Sequence, residues 1–169
     1  MNENPGAARA RTRASPSPPA ARGGQYLTFA LGTVECAIGI LNVQDIVGMM
    51  PVTLRSGAPG FIKGNITPRG NAIPLVDLRA RLALPPQEET ENTCIIVVQT
   101  LGHGRTVTTG LLVDLVREVS EIPEEQLLSP PDTGAPIDGD FILARANLGG
   151  TPLLVLDIER VLEPDCSRP

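Results

Sequence analysis

The sequence predicts an all-β protein built from two related units, each with about five strands and one short helix. Two stretches, 61–82 and 141–162, align without a gap: both begin with Phe-Ile, place a glycine before a short apolar run, reach an aspartate and end on leucine. Elsewhere, short apolar runs are broken by Gly, Pro, Asn and Asp, which is typical of small barrels and sandwiches. Five strands curl naturally into a small barrel, because closure removes exposed sheet edges.

In the first half, apolar runs and turn residues define the elements. In chain order they are strands over 25–31 and 34–41, a helical turn over 43–47, strands over 49–54, 64–67 and 71–76, and a helix over 77–84. The spacer Gly32-Thr33 is typical of a hairpin, and Asn42 is a good cap for the helical turn. Pro68-Arg69-Gly70 forms the next turn. Asp77 caps the helix, which Pro85-Pro86 ends.

The second half follows a polar linker over 85–92 and repeats the pattern. Its elements are strands over 93–101, 105–113, 115–122, 141–147 and 152–156, and a helix over 157–162. The strand over 93–101 is apolar at its centre without alternation, which indicates burial on both faces. Gly149-Gly150 marks the second copy's hairpin, and Asp157 caps its helix. The segment 116–119 precedes the second copy much as 43–46 precedes the first, which supports a duplication.

We expect a disordered basic tail over 1–24, a folded body over 25–162 and a short C-terminal tail over 163–169. Within the body, the first lobe is mainly 25–84 and the second mainly 93–162, with strands able to exchange between lobes. Four Arg and one Glu give the first 24 residues a charge of +3, so that with a total of −5 the rest of the chain carries −8. The tail lacks the apolar core of a signal peptide, and no run reaches the roughly 20 apolar residues of a membrane span. These features predict a cytoplasmic protein with no direct membrane insertion.

The composition disfavours nucleic-acid binding. Aromatic residues make up only 2% of the chain and the body is acidic, so base-stacking surfaces are scarce and phosphate backbones are repelled. A small β-barrel module that binds nucleic acid nevertheless stays open as the alternative function, because its fold would be similar. Cys36, Cys94 and Cys166 are widely spaced and form no CxxC motif, so the sequence predicts neither a disulfide framework nor a zinc site.

Residues that could support catalysis are few and scattered. His103 stands between two glycines in a turn, and the pairs Glu88-Glu89 and Glu124-Glu125 lie in polar connectors. Asp77 and Asp157 are equivalent in the two copies, but a carboxylate where a strand ends and a helix begins usually caps the helix. A hydrolase that used both as acid and base would need them within about 10 Å of each other. The sequence therefore predicts no catalytic residue, no metal site and no cofactor.

Several segments resemble the CheW family of chemotaxis coupling proteins: Gln25-Tyr-Leu-Thr-Phe-Ala-Leu31, Val43-Gln-Asp-Ile46, Phe61-Ile-Lys-Gly64, Arg69-Gly70 and Ile73-Pro-Leu-Val-Asp-Leu-Arg79. The resemblance extends from about Gln25 to Leu162. It implies two intertwined five-stranded SH3-like barrels in pseudo-twofold arrangement, with an apolar groove between them and no catalytic activity.

The same resemblance implies partners. A CheW-like adaptor bridges the cytoplasmic tip of a chemoreceptor to the regulatory domain of a CheA-type histidine kinase, within membrane-associated receptor arrays. That regulatory domain has the same double-barrel fold, so CheW–CheW or CheW–CheA ring contacts are also expected. Such a role needs exposed apolar patches with polar rims and no reactive centre.

Carried over residue by residue, the resemblance implies a receptor-binding groove formed by Val43, Asp45, Ile46, Gly64, Arg69 and Gly70. Arg69 matches the family's arginine at this turn, and Asp45 matches a position usually occupied by Glu, so we expect an ion pair that holds the hairpin tip. Core packing is the alternative role for Val43, Ile46 and Gly64, and it fits Gly64 least, because a missing side chain there permits close approach. The weaker candidates for a kinase-facing edge are Gly110, Val113 and Val116.

Overall fold

The computed structural model describes residues 22–54, 56–57, 60–102, 104–129 and 136–163. Within these ranges the chain forms ten strands, two α-helices of one turn each and four short 3₁₀ turns. The strands are β1 (Gly24–Leu31), β2 (Val34–Gly39), β3 (Val43–Gly48), β4 (Ile62–Ile66), β5 (Ile73–Asp77), β6 (Cys94–Gly102), β7 (Arg105–Val113), β8 (Leu115–Ile122), β9 (Ile142–Leu148) and β10 (Thr151–Leu156). The helices are α1 (Leu78–Arg81) and α2 (Ile158–Val161).

The strands form two five-stranded sheets. The first sheet has the order β8-β1-β2-β10-β9 and the second sheet the order β3-β6-β7-β5-β4. Both have the same topology: an antiparallel hairpin, β1-β2 or β6-β7, joins a second hairpin, β9-β10 or β4-β5, through one parallel strand pair. The predicted all-β fold with two intertwined five-stranded units is confirmed.

A single bridge beyond the regular strands closes each sheet into a barrel. In the chain after β3, Thr53 exchanges two backbone hydrogen bonds of 2.8 Å with Asn65 of β4. In the chain after β8, Leu128 makes the equivalent exchange with Arg145 of β9, at 2.8 and 2.9 Å. The segment that follows one outer strand of each sheet is therefore tied to the other outer strand.

Each barrel takes strands from both halves of the sequence. The first barrel combines β1 and β2 with β8, β9 and β10, and the second combines β3, β4 and β5 with β6 and β7. Each barrel thus takes three strands from one of the halves over 25–84 and 93–162 and two strands from the other, so strands are exchanged between the halves. The predicted tails lie outside the described residues, apart from 22–24 and 163.

Three apolar clusters stabilise this arrangement. The largest lies between the barrels and takes side chains from both sheets and both helices, and a smaller cluster fills each barrel. Strand β6 connects two of them, because Ile96 and Val98 face the cluster between the barrels while Ile95 and Val97 face the interior of the second barrel. The predicted burial of this strand on both faces is confirmed.

Two local predictions are wrong, and both concern the neighbourhood of β3. The segment 43–47 is a strand paired with β6, and the 3₁₀ turn lies just before it, at Ile40–Asn42. Its β-branched residues fit a pleated, half-buried surface, so long-range pairing outweighs the capping tendency of Asn42. Residues 49–54 form no regular strand, and Thr53 makes only the closing bridge.

An aspartate stands at the start of each helix. The Asp77 carboxylate accepts a hydrogen bond from the Ala80 amide at 3.4 Å, and Asp157 accepts one from the Arg160 amide at 3.2 Å. Each bond satisfies one of the backbone N–H groups that a helix N-terminus leaves without a partner. In the parts of the chain that the structure describes, no helix has the length and apolar character to span a membrane.

Candidate functional site

A cavity of about 590 Å³ opens at the mouth of the second barrel. Asp45 of β3 and Arg69 of the turn after β4 line its rim, together with Gln99 of β6. Ile73 and Val97 form its base and belong to the apolar cluster inside this barrel. The mouth therefore combines a charged rim with an apolar floor.

Arg69 and Asp45 are joined across this mouth. Arg69 Nε donates to Asp45 Oδ2 at 2.7 Å, Arg69 Nη2 lies 2.7 Å from the same oxygen, and the Ile46 amide donates to Asp45 Oδ1 at 2.9 Å. The hydrogen bond from Arg69, followed by that from Ile46, lowers the pKa of Asp45. The carboxylate is thus ionised at neutral pH, and the pair is lost only as the pH falls through this lowered pKa. Because the Arg69 side chain is 77% exposed, the pair contributes little to folding.

Arg69 has a backbone conformation that an arginine rarely adopts. Its φ is 55° and its ψ is 28°, in the left-handed region, where a side chain costs roughly 1–2 kcal/mol relative to glycine. The equivalent residue in the second copy is Gly149, with a φ of 57°. The same turn is therefore built once with the unstrained residue and once with an arginine bonded to Asp45. Backbone strain of this kind is concentrated at functional sites.

The other face of β3 is apolar. Val43 pairs with Val98 and Ile46 with Ile96, so both share the side that faces the cluster between the barrels. A β-bulge between Val43 and Asp45 directs Asp45 to the barrel mouth instead. Val43 packs against the cluster, whereas Ile46 keeps 43% of its surface exposed. One strand thus presents a charged group on one face and an apolar edge on the other.

Gly64 and Gly70 hold the site in different ways. Gly64 is buried in β4 with a φ of 149°, and a Cβ atom there would lie 2.3 Å from the Thr53 carbonyl oxygen. It therefore allows the bridge that closes the barrel and offers no side-chain surface to a partner. Gly70 is exposed beside Arg69 with a φ of 87°, which a larger residue would adopt only with strain.

The residues predicted for the kinase-facing edge are mostly buried. A Cβ atom on Gly110 would lie 3.0 Å from Ile95 Cγ2, and Val113 is only 1% exposed within the cluster between the barrels. Neither presents a surface for direct contact, so the prediction needs correction for these two residues. Their apolar character reflects strand packing. Val116 is partly buried against the same cluster and retains some surface on β8.

The first barrel has an equivalent mouth with a different ion pair. A cavity of about 380 Å³ opens there, and Arg117 donates to Glu35 through Nε at 2.7 Å and Nη2 at 2.9 Å. Glu118 occupies the position equivalent to Asp45, but its backbone bonds to the Thr28 hydroxyl and no basic residue faces it from the hairpin tip. Among the described residues, only the second barrel therefore has an ion pair between its hairpin tip and its edge strand, the pair of Arg69 and Asp45.

Comparison with known proteins identifies the family. Residues 25–165 match the family model described as the CheW-like domain. The chain belongs to the CheW-like family. It is 35% identical to the chemotaxis protein CheW of Klebsiella aerogenes over 143 residues, which cover 85% of this chain and 84% of that protein. It is 30% identical to the chemotaxis protein CheW of Bacillus subtilis over 147 residues, covering 86% and 91% of the two chains.

A solved structure agrees with this assignment. The CheW-like chain matches the crystal structure of the scaffolding protein TtCheW from Thermoanaerobacter tengcongensis with a TM-score of 0.76 and 27% identity, covering 85% of this chain and 94% of that one. The predicted family membership is confirmed, and with it a place among chemotaxis scaffold proteins.

Asp77 and Asp157, the two carboxylates considered for a hydrolase, each cap a helix in this CheW-like fold. Asp77 ends β5 of the second sheet and Asp157 follows β10 of the first, and each bonds to the helix that it begins. Across the described ranges, no group of three or more His, Cys, Asp or Glu residues is placed to hold a metal ion. His103 and Cys166 lie outside the described residues.

Sequence reasoning missed a buried ion pair. Arg79, which is 8% exposed, contacts the Asp114 carboxylate and donates to both the side-chain oxygen and the backbone oxygen of Gln87 in the linker. These bonds join α1, the β7–β8 junction and the linker. The available signal was Asp114 itself, a lone carboxylate between two strand-like apolar runs.

A second missed residue lies between the two copies. Arg81 Nε donates to the Val161 carbonyl oxygen at 2.7 Å, and its guanidinium lies 4.7 Å from the ring centre of Phe61 and 5.0 Å from that of Phe141. Those two phenylalanines begin the two copies of the repeat. The Arg81 cation therefore links the helix of the second copy to both phenylalanine rings. The only sign of this contact in the sequence is that the two copies differ at this position, with Arg81 in the first and Val161 in the second.

We predict that the Cys36 thiol is inert in the folded protein. The residue is fully buried, and burial, with a smaller effect from Glu35, raises its pKa to about 12. At pH 8 only about one molecule in 10⁴ would carry the reactive thiolate. Iodoacetamide treatment followed by peptide mass mapping should leave Cys36 unmodified in buffer and modify it fully in urea. Rapid labelling in buffer would contradict the burial of this strand.

Proposed function

We propose that this chain is a non-catalytic adaptor that couples the cytoplasmic tip of a chemoreceptor to a CheA-type histidine kinase. The observation that supports it best is Arg69, held in a left-handed conformation and bonded to Asp45 at a barrel mouth, where the second copy has Gly149. A strained arginine that adds little to stability is better explained by contact with a partner than by a role in folding. Membership of a family that includes chemotaxis and scaffolding proteins supports the same role.

The receptor-facing surface comprises both faces of β3. The Asp45–Arg69 pair provides a fixed charged rim, and Val43 and Ile46 provide an apolar edge on the side of the cluster between the barrels. This combination of an apolar contact with a polar rim is typical of protein–protein interfaces. Gly70, which has no side chain, leaves the space next to Arg69 at the hairpin tip open to a partner.

The kinase regulatory domain would contact the other barrel. Val116 lies on β8, an outer strand of the first sheet, and is the member of the predicted kinase set that keeps exposed surface. Because that domain shares the double-barrel fold, contacts between barrel ends can repeat into rings within receptor arrays. This role locates the chain on the cytoplasmic side of the membrane, beneath the receptors.

Replacing Arg69 with glycine should separate function from stability. Glycine adopts a φ near 55° without strain, so the free energy of unfolding should stay unchanged or rise by up to about 1 kcal/mol. Affinity for a receptor-tip fragment, measured by isothermal titration calorimetry, should fall about tenfold because the charged rim is lost.

Arg117→Ala is the matched control, since it removes the ion pair at the other barrel mouth. It should leave receptor affinity unchanged. Wild-type protein that binds neither the receptor tip nor the kinase domain would refute the adaptor role. Equal receptor binding by Arg69→Gly and wild type would refute only the role of this arginine.

A further inference from the structure

The two barrels carry equivalent corners, each where a central hairpin meets a helix. The repeat alignment and the strand registers make Gly32 equivalent to Leu101, Asp114 to Leu41, and Arg79 to Glu159. The first member of each pair belongs to what we call the closed corner, and the second to the open corner. The two corners satisfy the same backbone positions with different side chains.

In the closed corner, Asp114 makes the central contacts. Its carboxylate accepts from the Gly32 amide, and its own amide donates to the Ala30 carbonyl oxygen at 3.2 Å. Arg79 forms a buried ion pair with the same carboxylate. It also donates hydrogen bonds to the backbone and side-chain oxygens of Gln87 in the linker. A segment of the chain itself therefore covers this corner.

In the open corner, other groups make these backbone bonds. The Leu101 amide donates to Glu159 Oε2 at 3.3 Å, and the Asn42 side-chain amide donates to the Gln99 carbonyl oxygen at 3.0 Å. Leu41, at the position of Asp114, is therefore not needed for these bonds and is 97% exposed, while Leu101 is 70% exposed. A single exposed leucine is ordinary, but two at one corner whose equivalent is covered indicate a contact surface.

The two exposed leucines and Glu159 indicate which kind of partner group the open corner could bind. Glu159 has no ion pair within the described residues, so a basic group is favoured beside the two leucines. The linker of a second copy is unsuitable, because it carries Glu88 and Glu89 where it covers the closed corner. Leu41 precedes Val43 by two residues, so the open corner continues the apolar edge of β3.

We propose that the open corner binds an apolar side chain and a neighbouring basic side chain of the chemoreceptor tip. This rests on the proposed adaptor function and extends its receptor-facing surface from β3 to Leu101 and Glu159. The apolar group fills the space between Leu41 and Leu101, and the basic group pairs with the carboxylate of Glu159.

The test compares Leu41→Asp/Leu101→Asp with Leu128→Asp, which changes an exposed leucine of the first barrel. Binding of a receptor-tip fragment and of the kinase regulatory domain is measured separately for each variant. We expect the double variant to lose at least tenfold in receptor affinity while it keeps kinase binding and its unfolding midpoint, and the control to bind both as wild type. Glu159→Gln, which retains an acceptor for the Leu101 amide, should weaken receptor binding several-fold, mainly at low salt.

Other outcomes overturn the inference. Wild-type receptor affinity in the double variant would show that the open corner is not a receptor contact, with the adaptor role intact. Loss of kinase binding with receptor binding retained would assign the corner to the kinase. Failure of the wild-type protein to bind either partner would remove the adaptor function and this inference together.

Discussion

Gly64→Ala should destabilise the fold by about 3 kcal/mol, because it combines a severe clash with backbone strain. The added Cβ atom would lie 2.3 Å from the Thr53 carbonyl oxygen and 2.9 Å from Val52 Cγ1. The first of these neighbours is backbone and takes part in the bridge that closes the barrel, so it cannot move without breaking two hydrogen bonds. The φ of 149° adds strain for any residue with a Cβ atom.

Urea unfolding followed by circular dichroism measures this effect, with Gly48→Ala as the matched control. Gly48 also lies in a strand of the second barrel, but a Cβ atom there would meet nothing within 4 Å. The control should change the free energy of unfolding by less than about 0.5 kcal/mol. If both variants unfold at the wild-type urea concentration, the close approach of β4 to the chain at Thr53 is wrong.

Asp114→Ala should also destabilise the fold by about 3 kcal/mol, because it leaves a buried cation without its partner. The Arg79 side chain is 9% exposed, so water cannot replace the lost carboxylate effectively. The Gly32 amide also loses its acceptor, but it lies in an exposed turn where water can replace the carboxylate, so the cost comes mainly from Arg79. The closed corner should open, and the linker segment around Gln87 should lose its anchor.

A double-mutant cycle tests this explanation. Arg79→Met removes the charge itself, so adding Asp114→Ala to it should cost at least 1 kcal/mol less than Asp114→Ala costs alone. The exposed pair at the other barrel provides the comparison, since Arg117→Ala should cost less than about 1 kcal/mol. Additive effects of the two closed-corner substitutions would mean that Arg79 and Asp114 do not interact.

Much of the fold was predictable from local patterns. The bounds of β7 and β8 agree with the predicted strands, and the helices begin after Asp77 and Asp157 as expected. The failure at 43–47 has a physical reason: five residues of mixed character fit either a capped turn or a strand, and only the pairing with β6 decides between them.

The candidate site was predictable to a smaller extent. The resemblance named Asp45 and Arg69, but the left-handed backbone of Arg69 follows from its turn in three dimensions. The burial of Gly110 and Val113 was not evident, because glycine and valine suit a core strand and an exposed edge equally well. The open corner was missed because Leu41 and Leu101 read as ordinary apolar residues.

The sequence by itself determined the duplicated unit, most strands, the helix starts and the CheW-like family, because each depends on residue periodicity, turn chemistry or motif spacing within a short segment. Only the tertiary structure decided which strands share a barrel, that Arg69 adopts a left-handed backbone beside Asp45, and which of two equivalent corners the described residues leave uncovered. Those outcomes depend on pairing between distant strands of similar apolar character, where the free energy of the whole packed arrangement selects one combination.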